Sequence, residues 1–161
     1  MAYTVRKAVR EDLETICKIY AGARVFMAEH GNPNQWGTTH PPRSQLEEDI
    51  ARGDLYVAAD ERGIHGVFYF FIGDDPTYAE IEDGAWHANQ RYGTIHRIAS
   101  DGSGGILSAA VAFGKSQIGY LRIDTHADNK VMQSAVQKQG FQRCGIIHIS
   151  DGSPRIAYDL I

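Results

Sequence analysis

His96, Asp124 and His126 are the side chains of this 161-residue sequence whose types and spacing best suit proton transfer at neutral pH. An imidazole ordinarily titrates near ~6.5 and acts as a general base where it faces a ligand. His96 lies in the β-rich run Thr94–Ala99 and has two readings: a base looking into a cleft, or a hydrogen-bonded histidine of the core. Strand alternation sends His96 and Arg97 to opposite faces of a sheet, so only one of them looks into a given cleft. Arg97 reads equally well as a structural ion-pair partner. Asp124 and His126 stand two apart on a second strand-like run, spaced for an oriented Asp/His pair or a chelate. The alternative is a polar cluster that fixes the turn before Asn129. A chelate needs a third ligand that the sequence does not place, so no metal is expected.

A second kind of chemistry is suggested by Thr94-Ile-His-Arg-Ile-Ala-Ser-Asp-Gly-Ser-Gly-Gly-Ile-Leu107, a strand that runs through a glycine-rich loop into a helix. Gly102, Gly104 and Gly105 let backbone approach a ligand closely, and the free N–H groups at the next helix N-terminus favour phosphate oxygens. The spacing is neither GxxxxGK[ST] nor GxGxxG, which argues against P-loop and dinucleotide-binding readings. The window Gly73–Trp86 holds Asp74, Asp75, Glu80, Glu82 and Asp83 with no Lys or Arg. It reads as a solvated acidic loop or as a patch that draws in a cationic group, with Trp36 or Trp86 covering that group's methylenes. His40 and Arg43, close to Trp36 in sequence, are candidates for the same cleft. Cys144 is read as a small buried hydrophobe in preference to a nucleophile.

These groups need a scaffold, and the periodicity supplies one. Tyr3–Ala8 reads as a strand. From Glu11, apolar residues recur at three- and four-residue intervals as far as Met27, which predicts a helix that ends before His30-Gly31-Asn32-Pro33. Ser44–Arg52 is a short helix with Ser44 as N-cap, Glu47 completing a capping box and Gly53 stopping it. Leu55–Ala59 and His65–Ile72 form a hairpin, and Gly73–Tyr92 is a long excursion without a period. Helices at Ile106–Gln117 and Lys130–Gln139 bracket a strand at Leu121–His126, and Phe141–Ile149 pairs with Arg155–Leu160. Alternation of this kind is an α/β pattern over one domain, residues 1–161.

Composition narrows the function classes. A formal charge of −4 offers no basic surface, so neither nucleic acid nor an anionic membrane is an expected partner. The two cysteines, Cys17 and Cys144, are too few for a disulfide framework and lack zinc spacing, which suits a reducing compartment. The opening MAYTVRKAVRED has no apolar leader, and no stretch is apolar for ~18 residues, so a cytoplasmic location is expected.

The run Asp124-Thr-His-Ala-Asp-Asn-Lys-Val-Met-Gln-Ser-Ala-Val-Gln-Lys-Gln-Gly-Phe141 resembles the signature of the GNAT superfamily, an Asn-capped helix of fixed length followed by Lys-x-Gly-Phe. Asn129, Lys138, Gly140 and Phe141 stand at the matching places, and the order of elements resembles that superfamily along essentially the whole chain. Gly31-Asn-Pro-Asn-Gln-Trp-Gly37, His96-Arg-Ile-Ala-Ser100, Arg122-Ile-Asp-Thr-His126 and Ser153-Pro-Arg-Ile-Ala-Tyr158 look like one branch of it. The resemblance implies a mixed, mostly antiparallel sheet splayed between Thr94–Ala99 and Leu121–His126, with flanking helices. It also implies an acetyl-CoA-dependent N-acetyltransferase acting on a primary amine of a small molecule or peptide, by direct attack in a ternary complex. The cofactor would lie against Ile98, Ala99, Ser100, Gly102, Ser103, Gly104, Gly105, Ile106 and Asn129. Catalytic candidates are His96, Asp124, His126 and Tyr158, and Trp36, Glu82 and Trp86 are candidates for the acceptor side. The loop departs from the family form by being shorter and lacking a basic residue. Val136 stands where many relatives carry the tyrosine that protonates the departing thiolate; Tyr158, on a terminal strand, reads as a packing residue in preference to a substitute acid. The alternatives are a non-catalytic acyl-CoA-binding module and a metal-dependent hydrolase on His96, Asp124 and His126. A homodimer is compatible with the family habit.

Overall fold

Turn glycines and helix caps set the element boundaries. The computed structural model describes residues 2–161. Strand β1 (Thr4–Lys7) leads through a 3-10 turn at Arg10–Asp12 into helix α1 (Leu13–Glu29). Asp12 accepts a hydrogen bond from the Val9 N–H (2.8 Å) and pairs with Arg6 (2.7 Å), so this acidic residue ties the helix start to β1 besides complementing the dipole. Helix α2 (Arg43–Arg52) starts two residues earlier than a Ser44 cap predicts. Pro42 is the N-cap, its carbonyl accepting from Gln45 and Leu46, so Ser44 already lies inside the first turn and the expected capping box does not form. Gly53, at φ 76°, ends α2 in the left-handed conformation, as the sequence predicts.

The remaining elements are β2 (Leu55–Asp60), β3 (Gly63–Ile72), β4 (Gly93–Ser100), α3 (Ile106–Gln117), β5 (Leu121–Thr125), α4 (Lys130–Lys138), β6 (Gln142–His148) and β7 (Pro154–Leu160). Among the described residues these seven strands form one sheet in the order β1-β2-β3-β4-β5-β7-β6. Every neighbouring pair is antiparallel except β4 and β5. That parallel pair is in register only at Gly93 with Leu121 and Thr94 with Arg122, and the two strands then part, which is the splay expected.

The parting coincides with a bulge in β4. Val67 of β3 faces Ala99 while Tyr69 faces His96, so β4 carries an extra residue, and Arg97 takes φ 50°. The Tyr20 hydroxyl of α1 donates to the Arg97 carbonyl (2.6 Å) and holds the bulge from one side of the sheet. The bulge also overturns an expectation. Ile95 and Ile98 face one side of the sheet, and His96 and Arg97 both face the other, because the inserted residue resets the alternation.

Three apolar clusters fasten the layers. Ile16, Ile19 and Tyr20 of α1 and Leu46 of α2 pack on Leu55, Val57 and Val67. On the opposite face, Ala110 and Val111 of α3 and Val136 of α4 cover Phe68, Phe70, Ile95, Leu121, Ile123 and Tyr158. Fully burying one such side chain contributes about 1.5–3 kcal/mol. The third cluster, with Tyr78, Tyr92, Tyr120 and Ile147, lies beneath the excursion between β3 and β4.

That excursion is irregular, as its lack of period predicts, yet it is firmly attached. Its regular parts are a 3-10 turn at Pro76–Tyr78 and a backbone bridge between Glu82 and Ile146 of β6. The buried Arg122 guanidinium lies 4.0 Å from the ring centres of both Trp86 and Tyr92, a cation–π contact with each. No helix is long and apolar enough to cross a membrane among the described residues.

Gly84 allows the bridge to close: at φ 144°, a Cβ there would sit 1.9 Å from the Cys144 carbonyl oxygen. Gly84→Ala must therefore push the excursion off β6. Urea unfolding should show a loss of about 2 kcal/mol or more against the parent, whereas Gly102→Ala, which meets nothing within 4 Å, should cost less.

Candidate functional site

Where β4 and β5 part, two cavities meet. The larger, about 720 Å³, runs between α1 and α4 and is floored by Ile98, Ala99, Ser100 and Gly102 and by the first residues of α3. The smaller, about 370 Å³, opens on the α1–α2 face and takes in Trp36, Tyr69, Asp75, His96, Asp124 and Arg155. Met27, Ile98, Asn129 and Met132 border both, so they form the passage between them.

The larger cavity has the character of a groove for a long, partly apolar ligand with an anionic end. Ile19, Ala23 and Phe26 line it from α1 and Met132 and Ala135 from α4, while Lys18 and Lys130 add cationic heads. Of the residues expected to hold a cofactor, Ile98, Ala99, Ser100, Gly102, Ile106 and Asn129 line this cavity. Ser103, Gly104 and Gly105 do not border it. The Gly104 carbonyl accepts from the Tyr3 hydroxyl (2.7 Å), and Gly105, at φ 85°, is the N-cap of α3. Asn129 caps α4 by accepting from the Met132 N–H (3.0 Å) and donates to Gln35 (3.0 Å), which links the loop after α1 to the passage.

The short loop brings its own carboxylate, Asp101, toward any bound phosphate, and the structure supplies a partner that the sequence reading missed. His65 of β3 bridges Asp101 (2.7 Å) and Asp60 (2.8 Å). The carboxylates of Asp101 and then Asp60, accepting from its ring nitrogens, hold the imidazole above its ordinary range and so favour its protonated form beside a loop that lacks a basic residue of its own.

The smaller cavity is organised around His96. Nε2 of His96 lies 2.8 Å from Asp75 Oδ2, and Nδ1 lies 3.6 Å from Asp124 Oδ2. Asp124 in turn accepts from the Tyr78 hydroxyl (2.6 Å). Asp75 is fixed by its own turn: Oδ1 accepts from the Thr77 N–H (2.9 Å) and hydroxyl (2.7 Å), leaving Oδ2 for the imidazole. Burial works to raise the Asp75 carboxyl, but the hydrogen bond and charge of His96 and the bonds from Thr77 outweigh it and hold it down at about 2. Burial and the neighbouring Asp124 carboxylate push the Tyr78 phenol well up, so it remains a donor. The sequence reading counted Asp75 only as one acid among several. Asp75-Pro76-Thr77 carries a local signal for it, the Asx turn that begins a 3-10 segment.

Other candidates fall elsewhere. Asp124 turns toward His96 and away from His126, so the Asp124–His126 pair is not formed; His126 Nδ1 accepts from the Asp128 N–H (3.0 Å), the reading in which it fixes the turn before Asn129. Tyr158 pairs across strands with Ile123, inside the cluster under α3 and α4, so it lies on the opposite face from Asp124 and only 1% exposed. Val136 is buried in the same cluster. Trp36 borders the smaller cavity, but Glu82 points outward beside His148 (3.6 Å) and Trp86 stacks on Arg122, because the excursion's middle is pinned to β6 and β5. Arg97 pairs with the buried Asp49 (2.5 Å) and lies 4.6 Å from the Tyr69 ring centre, the ion-pair reading of that residue. Arg43 pairs with Glu14 on the surface, and His40 borders the cavity, where burial and the nearby guanidinium groups lower its pKa.

No protein-family model matches this chain, and no curated protein matches it. Among solved structures it is similar to a GNAT-family acetyltransferase from Streptococcus agalactiae, with 30% identity over 99% of this chain and 95% of that chain and a TM-score of 0.86. It shares the fold of a GNAT-family acetyltransferase from Listeria monocytogenes (18% identity, 98% and 94% covered, TM-score 0.71). It shares it also with a GNAT phosphinothricin acetyltransferase from Sinorhizobium meliloti solved with AcCoA (17% identity, 99% and 88% covered, TM-score 0.63). The splayed sheet, the Asn-capped α4 and the match along the length of the Streptococcus protein agree on one assignment: the chain belongs to the GNAT family of acetyltransferases.

Proposed function

We propose that the chain moves an acetyl group from acetyl-CoA to a primary amine of a small molecule or peptide by direct attack in a ternary complex. The observation that carries this reading is the His96 imidazole, fixed by Asp75 and facing Asp124 where β4 leaves β5. The pantetheine arm fits the larger cavity, because the β5-facing edge of β4 beyond Thr94 has no strand partner and buried backbone groups require one. Lys18, Lys130 and the N-terminus of α3 suit the phosphates. The Sinorhizobium protein was solved with AcCoA, which supports an acyl-CoA in the same groove here.

An alkylammonium with a pKa near ~10.4 must lose a proton before it attacks. His96 takes that proton on one ring nitrogen while Asp75 holds the other and stabilises the imidazolium that forms. Asp124 attracts the incoming ammonium, and Tyr78 fixes the orientation of that carboxylate. The free strand edge supplies N–H groups for the thioester oxygen. The amine nitrogen loses its second proton to the departing thiolate, directly or through water. With Val136 and Tyr158 buried in the cluster under α3 and α4, this step proceeds without a tyrosine acid from either position. The acyltransferase relatives favour transfer over a non-catalytic binding module.

Calorimetry should show acetyl-CoA binding with a Kd on the order of tens of micromolar or tighter; no heat at that concentration overturns the reading. His96→Gln should lower kcat about 10²–10⁴-fold with acetyl-CoA affinity kept, and unchanged turnover rejects His96 as the base. The depressed Asp75 carboxyl, at about 2 against 3.8 for a free one, contributes stability that is complete above pH 3.8 and lost as pH falls through about 2. Thermal melting between those pH values should therefore be less steeply acid-sensitive in Asp75→Asn than in the parent, and parallel curves would argue against the pairing.

A further inference from the structure

Three guanidinium groups border the smaller cavity, and Arg52 and Arg97 each have a carboxylate partner, Glu48 and Asp49. Asp75 and Asp124 face His96. Arg155 of β7 is 6% exposed and borders the cavity, yet among the described residues no carboxylate lies within ion-pair distance of it. Its protein hydrogen bonds come from Nη1 alone, to the Ser153 hydroxyl (3.1 Å) and the Pro154 carbonyl (2.8 Å). Two short bonds leave most of the five-donor fork unused. A guanidinium taken out of water without a counter-ion is strongly unfavourable, and such a site is completed by an anion. Burial already lowers the Arg155 pKa, with Asp124 and Asp151 opposing only through space.

The position of Arg155 says which anion. Ala157 pairs with Asp124 across β5 and β7, and Arg155 lies two residues along β7 from it, a separation of ~7 Å on the same face. A ligand whose amine lies at the cavity side of the Asp124–His96 pair, within reach of both, therefore presents a second group toward Arg155, and a planar carboxylate matches the fork in a bidentate manner.

We propose that the acceptor is an amino acid or a similar small amino-carboxylate, its carboxylate held by Arg155 and its amine delivered to His96. This rests on the acyl-transfer reading above. Arg155 acts as a binding residue that sets specificity, separate from the proton transfer.

The test pairs the standard amino acids with their decarboxylated amines and their carboxamides, measuring thiol release from acetyl-CoA by the full chain. The carboxylate member of at least one pair should show a kcat/KM at least ~10-fold above its partners, since a charge-assisted pair is worth about 1.5–3 kcal/mol. Arg155→Met should raise KM for that acceptor ~10–100-fold, Arg155→Lys should do so less, and acetyl-CoA affinity by calorimetry should stay put in both. Equal kcat/KM within every pair overturns the proposal, as does an Arg155→Met variant, folded by circular dichroism, that loses charged and neutral acceptors alike. A chain that binds no acetyl-CoA defeats the acyl-transfer reading instead. In that event calorimetry of the same amino acids alone decides the carboxylate site: binding abolished in Arg155→Met upholds it, and no binding, or binding unchanged, overturns it.

Discussion

The separation of β4 from β5 after two residue pairs is the constraint on which the rest of the structure depends. A sheet that stops pairing in its middle leaves backbone donors and acceptors without partners, and a buried backbone group left so costs as much as a lost hydrogen bond. The protein holds this gap open by building β4 with one residue too many. The bulge at Arg97 needs a side chain in an unfavourable backbone region and a charge brought under cover. Tyr20 clamps its carbonyl, Asp49 neutralises its guanidinium and the Tyr69 ring lies beneath it. Helices α1 and α2 thus do more than cover a face, since they supply the groups that make the bulge tolerable.

A second constraint fixes the far wall of the smaller cavity. Asp75 and Tyr78 lie on a segment with almost no regular structure, which would ordinarily be a poor support for groups that orient His96 and Asp124. Its attachment is side-chain and backbone chemistry of an unusual kind for a loop. Arg122 reaches between the rings of Trp86 and Tyr92 and donates to the Ala88 carbonyl (3.0 Å), and the bridge at Glu82 closes over Gly84. The third cluster, dominated by tyrosines, completes the attachment, and its hydroxyls are consumed internally, as in the Tyr120 bond to Asp159 (2.7 Å).

Much of this was legible because local rules decide it. Helix α3 runs over the residues the periodicity gives, and Gly53 and Gly140 end α2 and α4 with positive φ. The Asn129 cap was legible because a side chain that accepts from a backbone N–H three residues on is a short-range event. What the residues did not reveal is long-range or runs against propensity. An arginine in the left-handed region has no sequence signature, so alternation assigned His96 and Arg97 to opposite faces and the bulge brought them together. Asp75 meets His96 across 21 positions, and His65 meets Asp101 across 36, through sheet pairing that no window of sequence contains. Glu82 and Trp86 look like acceptor groups by type, and only the bridge to β6 shows that they turn away.

The two cavities share four bordering residues and little else, and this has an evolutionary consequence. The larger cavity, proposed for the cofactor, is walled by α1, α3, α4 and the glycine loop, whereas the smaller, proposed for the acceptor, is walled by α2, the middle strands, the loops after α1 and β3, and the last strand. Substitutions in the second set can alter which molecule is accepted while the machinery for the common donor stays intact. A lineage that duplicates such a scaffold inherits a conserved engine and a free choice of cargo.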